Sequence, residues 1–238
     1  LLMDEAHAEL GRPVRRRGLR GASGRRIDCF MASRARATPK PMAAPKRRAT
    51  YEDLMQVPDT KVAEILDGEL FVSPRPASPH AWTGTAIGAF VHSSFHGDGD
   101  PLAPARPGGW WIVFEPELHF TEDVLVPDIA GWRRERMPSF PLVPYFTLAP
   151  DWVCDVVSPS TGRIDRSRKM RIYGREGVAH LWLVDPLLRT IEGYRRNDGG
   201  LWIVDGVWDG DRRVRVAPFA DVELPLARFW PPEPAATT

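Results

Sequence analysis

Two apolar runs in this chain each carry a single carboxylate. Val124-Leu-Val-Pro-Asp128-Ile-Ala-Gly-Trp132 is apolar except for Asp128, and Trp152-Val-Cys-Asp155-Val-Val157 is apolar except for Asp155. Short, continuous apolar runs rich in β-branched residues read as strands covered on both faces. A carboxylate buried in such a strand is costly unless it is paired or holds a cation. Taken singly, either acid reads better as a strand-end residue, exposed or capping a turn. Taken together, they favour a site. Two such strands side by side would converge both acids on one spot, a hard-oxygen set suited to Mg²⁺ or Mn²⁺.

The surrounding pattern mixes strands and helices. Thr50, with Asp53 three residues on, is an N-cap for a short helix through Gln56. Asp67-Gly68 between Val62–Leu66 and Glu69–Val72 predicts a hairpin, which Pro74, Pro76 and Pro79 then end. Trp82, Ile87, Phe90, Val91 and Phe95 recur at helical spacing, predicting an amphipathic helix over 78–95. Residues 97–109 read as a loop, and strands are expected at 110–114, 117–121 and 124–132, the last interrupted at Pro127. Residues 133–150 hold four prolines and read as an irregular excursion. A strand at 152–157 leads through Ser158-Pro-Ser-Thr-Gly into a helix over 163–176, with Gly177 at its C-cap. Strands follow at 180–184, 190–195, 201–204 and 213–216, with a turn at Asn197-Asp-Gly-Gly. Trp110, Trp111, Trp132, Trp152, Trp182 and Trp202 fall mostly in apolar runs and read as core. The strand–helix–strand unit at 152–184 makes the class α/β (α+β).

Composition bounds the function. The chain has 238 residues, 43% of them hydrophobic, enough for a sizeable core. No stretch approaches eighteen apolar residues, so no transmembrane helix is expected. Two cysteines, Cys29 and Cys154, exclude a disulfide-stapled scaffold and a Cys-rich zinc site. A soluble, cytoplasmic protein is the expectation. The formal net charge of +1 divides into +9 over residues 1–50 and −8 over the rest. Residues 1–49 read as a basic, disordered leader, 50–230 as the folded domain and 231–238 as a Pro-rich tail. The leader could bind nucleic acid electrostatically. Leu1 opens the chain and Met3, Met31 and Met42 follow, which suits a mis-assigned start.

Lysine is rare here: Lys40, Lys46, Lys61 and Lys169 are the only four among 32 basic residues. Lys169 and Tyr173 lie four apart on one face of the expected helix. A helix beside the Asp155 strand would aim Lys169 at the acids, where it could orient a water nucleophile or stabilise phosphorane charge. The competing reading is a surface Asp165–Lys169 pair worth a few tenths of a kcal/mol. Lysine in an arginine-biased chain favours function, because arginine cannot give up a proton. No base stands at nucleophile spacing for a serine hydrolase, and Ser158, Ser160 and Thr161 read as a turn and cap set. Gly108-Gly109 lacks the pattern of a phosphate loop.

The ordered set is Glu64-Ile-Leu-Asp-Gly68, His80, Val126-Pro-Asp128, Asp155-Val-Val-Ser-Pro-Ser-Thr161, Asp165-x-x-x-Lys169-x-x-x-Tyr173 and Gly177-Val-x-His-Leu-Trp182-Leu-Val-Asp185-Pro186. This set resembles the Uma-two family of restriction endonucleases, a branch of the PD-(D/E)XK nuclease superfamily, over roughly residues 50–230. The resemblance implies a restriction-endonuclease-like fold, a central mixed sheet flanked by helices. It implies that Asp128 and Asp155 bind the metal, Mg or Mn, and that Glu64 completes the site. It assigns the superfamily lysine, whose usual position is Val157 here, to Lys169. Asp155 departs from the family's usual glutamate, which puts metal geometry and activity in question. His80 matches a frequent family histidine that either contacts the site or caps a helix. His180 reads as packing, and Glu115 and Glu117 as solvated loop-edge acids, although Glu117 could face the way Asp128 does. The implied activity is metal-dependent hydrolysis of DNA phosphodiester bonds, with a homodimer by analogy. A DNA enzyme whose body carries a net charge of −8 must concentrate its basic residues locally, for instance Arg163, Arg166, Arg168 and Arg171. The alternative is a non-catalytic nucleic-acid-binding or interaction module, and a hydrolase for a small phosphate ester would use the same ligands.

Overall fold

The structure, a computed structural model, describes residues 47–98, 102, 106–159 and 161–232. Nearly all of the basic leader (residues 1–46) and the end of the Pro-rich tail lie outside the described residues.

The chain enters through α1 (Tyr51–Met55), closed at its start by a reciprocal cap. The Thr50 amide donates to Asp53 Oδ2 at 2.8 Å and the Asp53 amide to Thr50 Oγ1 at 3.4 Å, the expected capping box. β1 (Lys61–Leu66) and β2 (Glu69–Pro74) form an antiparallel hairpin with Leu66 opposite Glu69. Asp67 and Gly68 both take positive φ, +54° and +76°, which a two-residue turn matched to strand twist requires. Pro79 sits in the first turn of α2 (Ser78–Phe95), where its missing N–H costs nothing. α2 buries Ile87, Val91 and Phe95 as its spacing predicts. Trp82 departs from the expected stripe and is 49% exposed.

β3 (Trp110–Phe114), β4 (Leu118–His119), β5 (Val124–Leu125), β6 (Ile129–Arg133) and β7 (Trp152–Val156) follow. A helical run then passes through α3 (Gly162–Ile164), a π-helical segment (Asp165–Lys169) and α4 (Met170–Glu176). It ends at Gly177, whose φ of +90° is the left-handed C-cap expected there. β8 (His180–Asp185), β9 (Thr190–Arg196), β10 (Trp202–Asp209), β11 (Arg213–Val214) and β12 (Leu224–Pro225) complete the strands, with a 3₁₀ turn at Leu226–Arg228.

The described strands form a six-stranded sheet, β10-β9-β8-β7-β6-β3, a four-stranded sheet, β2-β1-β5-β4, and the β11–β12 pair. β7 and β8 are parallel and joined by the helical crossover, whereas their outer neighbours β6 and β9 run antiparallel to them. The sheet is therefore mixed, as expected.

β7 explains its own unbroken apolarity. Trp152, Cys154 and Val156 pack with Ile87, Val91 and Phe95 of α2 and with Trp182 and Phe219. Val153 and Val157 pack on the opposite face with Ile172 and Tyr173 of α4. Both faces are covered, so both must be apolar. Asp155 falls on the α4 face by alternation.

Four strand expectations are corrected. Val124–Trp132 is not one strand: β5 belongs to the small sheet and β6 to the large one, with Pro127 at the seam. Proline cannot donate to a ladder and so marks the changeover. The strand expected at 117–121 shrinks to Leu118–His119, and that at 213–216 to Arg213–Val214. The one expected at 201–204 extends through Asp209, because Gly206 pairs with Gly193 past a register shift and the Trp208 ring lies over both glycines. No helix among the described residues is long and apolar enough to cross a membrane.

Candidate functional site

The site forms where the two sheets meet. β6 and β7 pair with Ile129 opposite Cys154. Continuing that register one step sets Asp128 opposite Asp155, so the two isolated acids do come together. Asp128 Oδ2 accepts the Val156 amide at 2.6 Å, and Asp128 Oδ1 lies 2.6 Å from His80 Nε2. Glu64 arrives from β1 of the small sheet, and its Oε1 accepts the Val126 amide at 2.9 Å. Residues 126–128, the seam itself, thus tie the acids of both sheets together.

Lys169 stands among these acids. Its Nζ lies 3.0 Å from Asp155 Oδ1, 3.2 Å from Glu64 Oε1 and 3.8 Å from Asp165 Oδ1. Lys169 is 5% exposed and Asp155 2%. The reading of Asp165–Lys169 as a surface pair is therefore set aside. Asp165 is buried as well and belongs to the site. Its signal in the sequence was the four-residue spacing to Lys169, which cannot tell a buried helix face from a solvated one. Asp165 and Lys169 bound the π segment, a widened turn often found at functional sites.

The electrostatics follow from three acids around one ammonium. Burial pushes the Asp155 carboxyl up to about 7, although Lys169 pulls against it. Burial also raises Asp165, again opposed by Lys169. For Lys169, burial disfavours charge but Asp155 and Glu64 outweigh it and hold the ammonium well above its ordinary value. Asp155 and Glu64 thus favour the charged form of Lys169. Burial lowers His80, yet its contact with Asp128 raises it overall. Two buried polar atoms in this neighbourhood, Asp155 Oδ2 and Tyr173 Oη, have no hydrogen-bond partner.

The acids open onto a cleft of about 580 Å³. Seven carboxylate residues line it, against Lys61, Arg75 and Lys169 as cations. Glu115 and Glu117 are among the seven. Glu117 Oε1 lies 2.6 Å from His119 Nε2 and accepts the Tyr51 hydroxyl at 2.9 Å, so it is not simply a solvated edge acid. Ser158 and Thr161 form the expected hydroxyl turn, with Oγ and Oγ1 3.0 Å apart. His180 lies in β8 outside the cleft lining, partly buried. Of the four arginines named as an example of a local basic concentration, three form ion pairs within the chain: Arg166 with Glu192, Arg168 with Glu69 and Arg171 with Asp67. No group of three or more histidine, cysteine or acidic side chains among the described residues stands ready to hold a metal ion.

A mixed sheet flanked by helices, with paired acids and a lysine at its seam, is a nuclease-like arrangement. The profile of the Uma2 family, described as "Putative restriction endonuclease", matches residues 48–227, and the chain belongs to that family. A solved structure from Anabaena variabilis, described as a "putative nuclease belonging to DUF820", is similar in fold. It superimposes with a TM-score of 0.60 at 22% identity, over 76% of this chain and 97% of that one. No curated protein matches the chain.

Proposed function

We propose that this chain is a metal-dependent endonuclease that hydrolyses DNA phosphodiester bonds in the seam cleft. The observation that carries the proposal is the convergence of Asp128 and Asp155 from adjacent strands, with Lys169 held 3.0 Å from Asp155. Membership of the Uma2 family supports it.

The donor set suits a hard divalent cation. Asp155 Oδ2 is buried without a partner, and Mg²⁺ commonly binds protein through one or two carboxylates and keeps several waters. Asp128 and Asp155 would hold the ion, with Glu64 assisting. When bound, such an ion supplies Lewis-acid polarisation of the phosphoryl oxygen and a more acidic water. Lys169, held between Asp155 and Glu64, orients the attacking water and offsets charge that develops on the phosphate. Glu64 and Asp165 hold the ammonium in place. His80 fixes the orientation of Asp128.

A second reading, a non-catalytic nucleic-acid-binding module, draws on one observation. Lys169 already pairs with Asp155 and Glu64, and both Asp128 oxygens already have donors. One experiment separates the two. The full chain is incubated with supercoiled plasmid and single-stranded DNA in Mg²⁺, Mn²⁺ or EDTA, beside Asp128→Ala and Lys169→Ala. Cleavage that needs the metal and both residues supports the nuclease. Nucleic-acid binding without cleavage under any metal supports the module.

A further inference from the structure

The open end of the β1–β2 hairpin carries two cations that the acid cluster does not use. Lys61 begins β1 opposite Pro74, and Arg75 follows Pro74 in the chain. Both residues are exposed and both line the cleft. Among the described residues neither forms an ion pair, and the Lys61 ammonium meets no partner. Exposed arginines on neighbouring segments are instead spent on carboxylates: Arg47 on Asp53, Arg168 on Glu69 and Arg171 on Asp67. The third cation of the cleft lining, Lys169, is held by Asp155 and Glu64. Lys61 and Arg75 are therefore the charges of the lining that remain to meet an anion.

Arg75 is set in place beforehand. Its Nη2 and Nε donate to the Asp59 carbonyl at 2.8 Å and 3.2 Å. A carbonyl positions the guanidinium without cancelling its charge and leaves Nη1 to donate elsewhere. Pro74 and Pro76 flank Arg75, and a following proline restricts the residue before it to extended backbone. Less ordering is then lost when a ligand binds. Position decides which anion fits. Glu64 stands three residues along β1 from Lys61, about 10 Å at the rise of a strand. A phosphate at the hairpin end and a phosphate at the acids are thus different groups. A lining with seven acids repels a polyanion along most of its length, so attraction has to be concentrated where the two unpaired cations stand.

We propose that Lys61 and Arg75 form an anchor for a backbone phosphate flanking the one that is cut, so that the cleft takes a polynucleotide in preference to an isolated small phosphodiester. The proposal rests on the nuclease reading given above and adds to it a second subsite and the substrate class that this subsite selects.

The test is fluorescence anisotropy of the full chain with a labelled oligodeoxynucleotide, single-stranded and annealed, over a series of salt concentrations. Each series is run in EDTA and in Ca²⁺, with gel electrophoresis to confirm that the strand is uncut. Residues 1–46 contribute alike to every variant, so the differences read the cleft. Lys61→Ala should weaken binding about eightfold at about 0.1 M salt and reduce the slope of log Kd against log salt by about one, the signature of one lost phosphate contact. Arg75→Ala should do the same, and Arg75→Lys, which keeps the charge, should bind as wild type does. A strand of neutral methylphosphonate linkages should show no difference between Lys61→Ala and wild type. Thymidylyl-thymidine, with one phosphodiester, should compete poorly for wild type, and Lys61→Ala should narrow that gap. Thermal melts confirm that each variant is folded. An unchanged slope in Lys61→Ala, or equal loss on the charged and neutral strands, overturns the anchor. If wild type cleaves plasmid and Lys169→Ala does not, while Lys61→Ala keeps wild-type affinity and slope, the nuclease reading stands and the anchor alone fails. If wild type binds none of the strands, both fail.

Discussion

Lys169 Nζ and Asp155 Oδ1 are 3.0 Å apart, in a pair almost wholly withdrawn from water. Removing one member of such a pair leaves the other charge buried without compensation, at a cost of about 3–5 kcal/mol. Lys169→Met should therefore lower the urea midpoint at pH 8 sharply and abolish cleavage. Combining it with Asp155→Asn should restore much of the stability and none of the activity. Denaturant unfolding beside a plasmid assay reads both. Recovery of cleavage in the double variant would remove Lys169 and Asp155 from the chemistry.

Asp155 also sets a pH dependence. Its carboxyl is pushed up to about 7 in the folded chain, against about 3.9 when unfolded. The folded chain therefore retains a proton that the unfolded chain releases between these values. Stability is fully present below about pH 4 and is lost as pH rises toward 7, by at most about 1.4 kcal/mol per unit. In EDTA, the urea midpoint of wild type should fall across this window more steeply than that of Asp155→Asn. Parallel profiles for the two proteins would show that Asp155 is not the group responsible.

Cation binding at Asp128 and Asp155 should be visible without any substrate. A ligand at a hundred times its Kd stabilises by about 2.7 kcal/mol, which for a domain of this size raises Tm by about 5 °C or more. Mn²⁺ should give such a shift in wild type and none in Asp128→Ala. A shift retained by Asp128→Ala would place the cation away from the seam.

The Trp208 ring lies over the paired glycines Gly193 and Gly206, and an added Cβ at these positions would stand 2.8 Å and 2.6 Å from it. Gly193→Ala should displace the indole and destabilise the fold by about 1–3 kcal/mol, with a change in near-ultraviolet circular dichroism. Because Trp208 is far along the sheet from β7, the variant should keep its activity at low temperature. An unaltered aromatic signal would show that the ring moves freely.

The sequence revealed most of the elements because each carried a local signal: the Thr50–Asp53 cap, the Asp67-Gly68 turn and Gly177 all act within a few residues. Asp128 and Asp155 were legible because a carboxylate contradicts an apolar run. Asp165 was not, since its spacing to Lys169 is the same on a wet helix face as on a dry one. Pro127 signalled an interruption, but nothing local says that the strand resumes in a different sheet. The rings around Glu117 were illegible for a related reason. Tyr51 reaches Glu117 across 66 residues, and neither Tyr51 nor His119 breaks a pattern where it stands.

The seam at residues 126–128 has a mechanical consequence. Glu64 belongs to one sheet and Asp155 to the other, while the Val126 amide donates to Glu64 and Asp128 accepts the amide of Val156, next to Asp155. Any shear between the sheets is transmitted through this short segment and changes the spacing of the acids before either ladder breaks. On heating, cleavage should therefore fail some degrees below the loss of far-ultraviolet circular dichroism, and a cross-link tying β1 to β6 should close that gap.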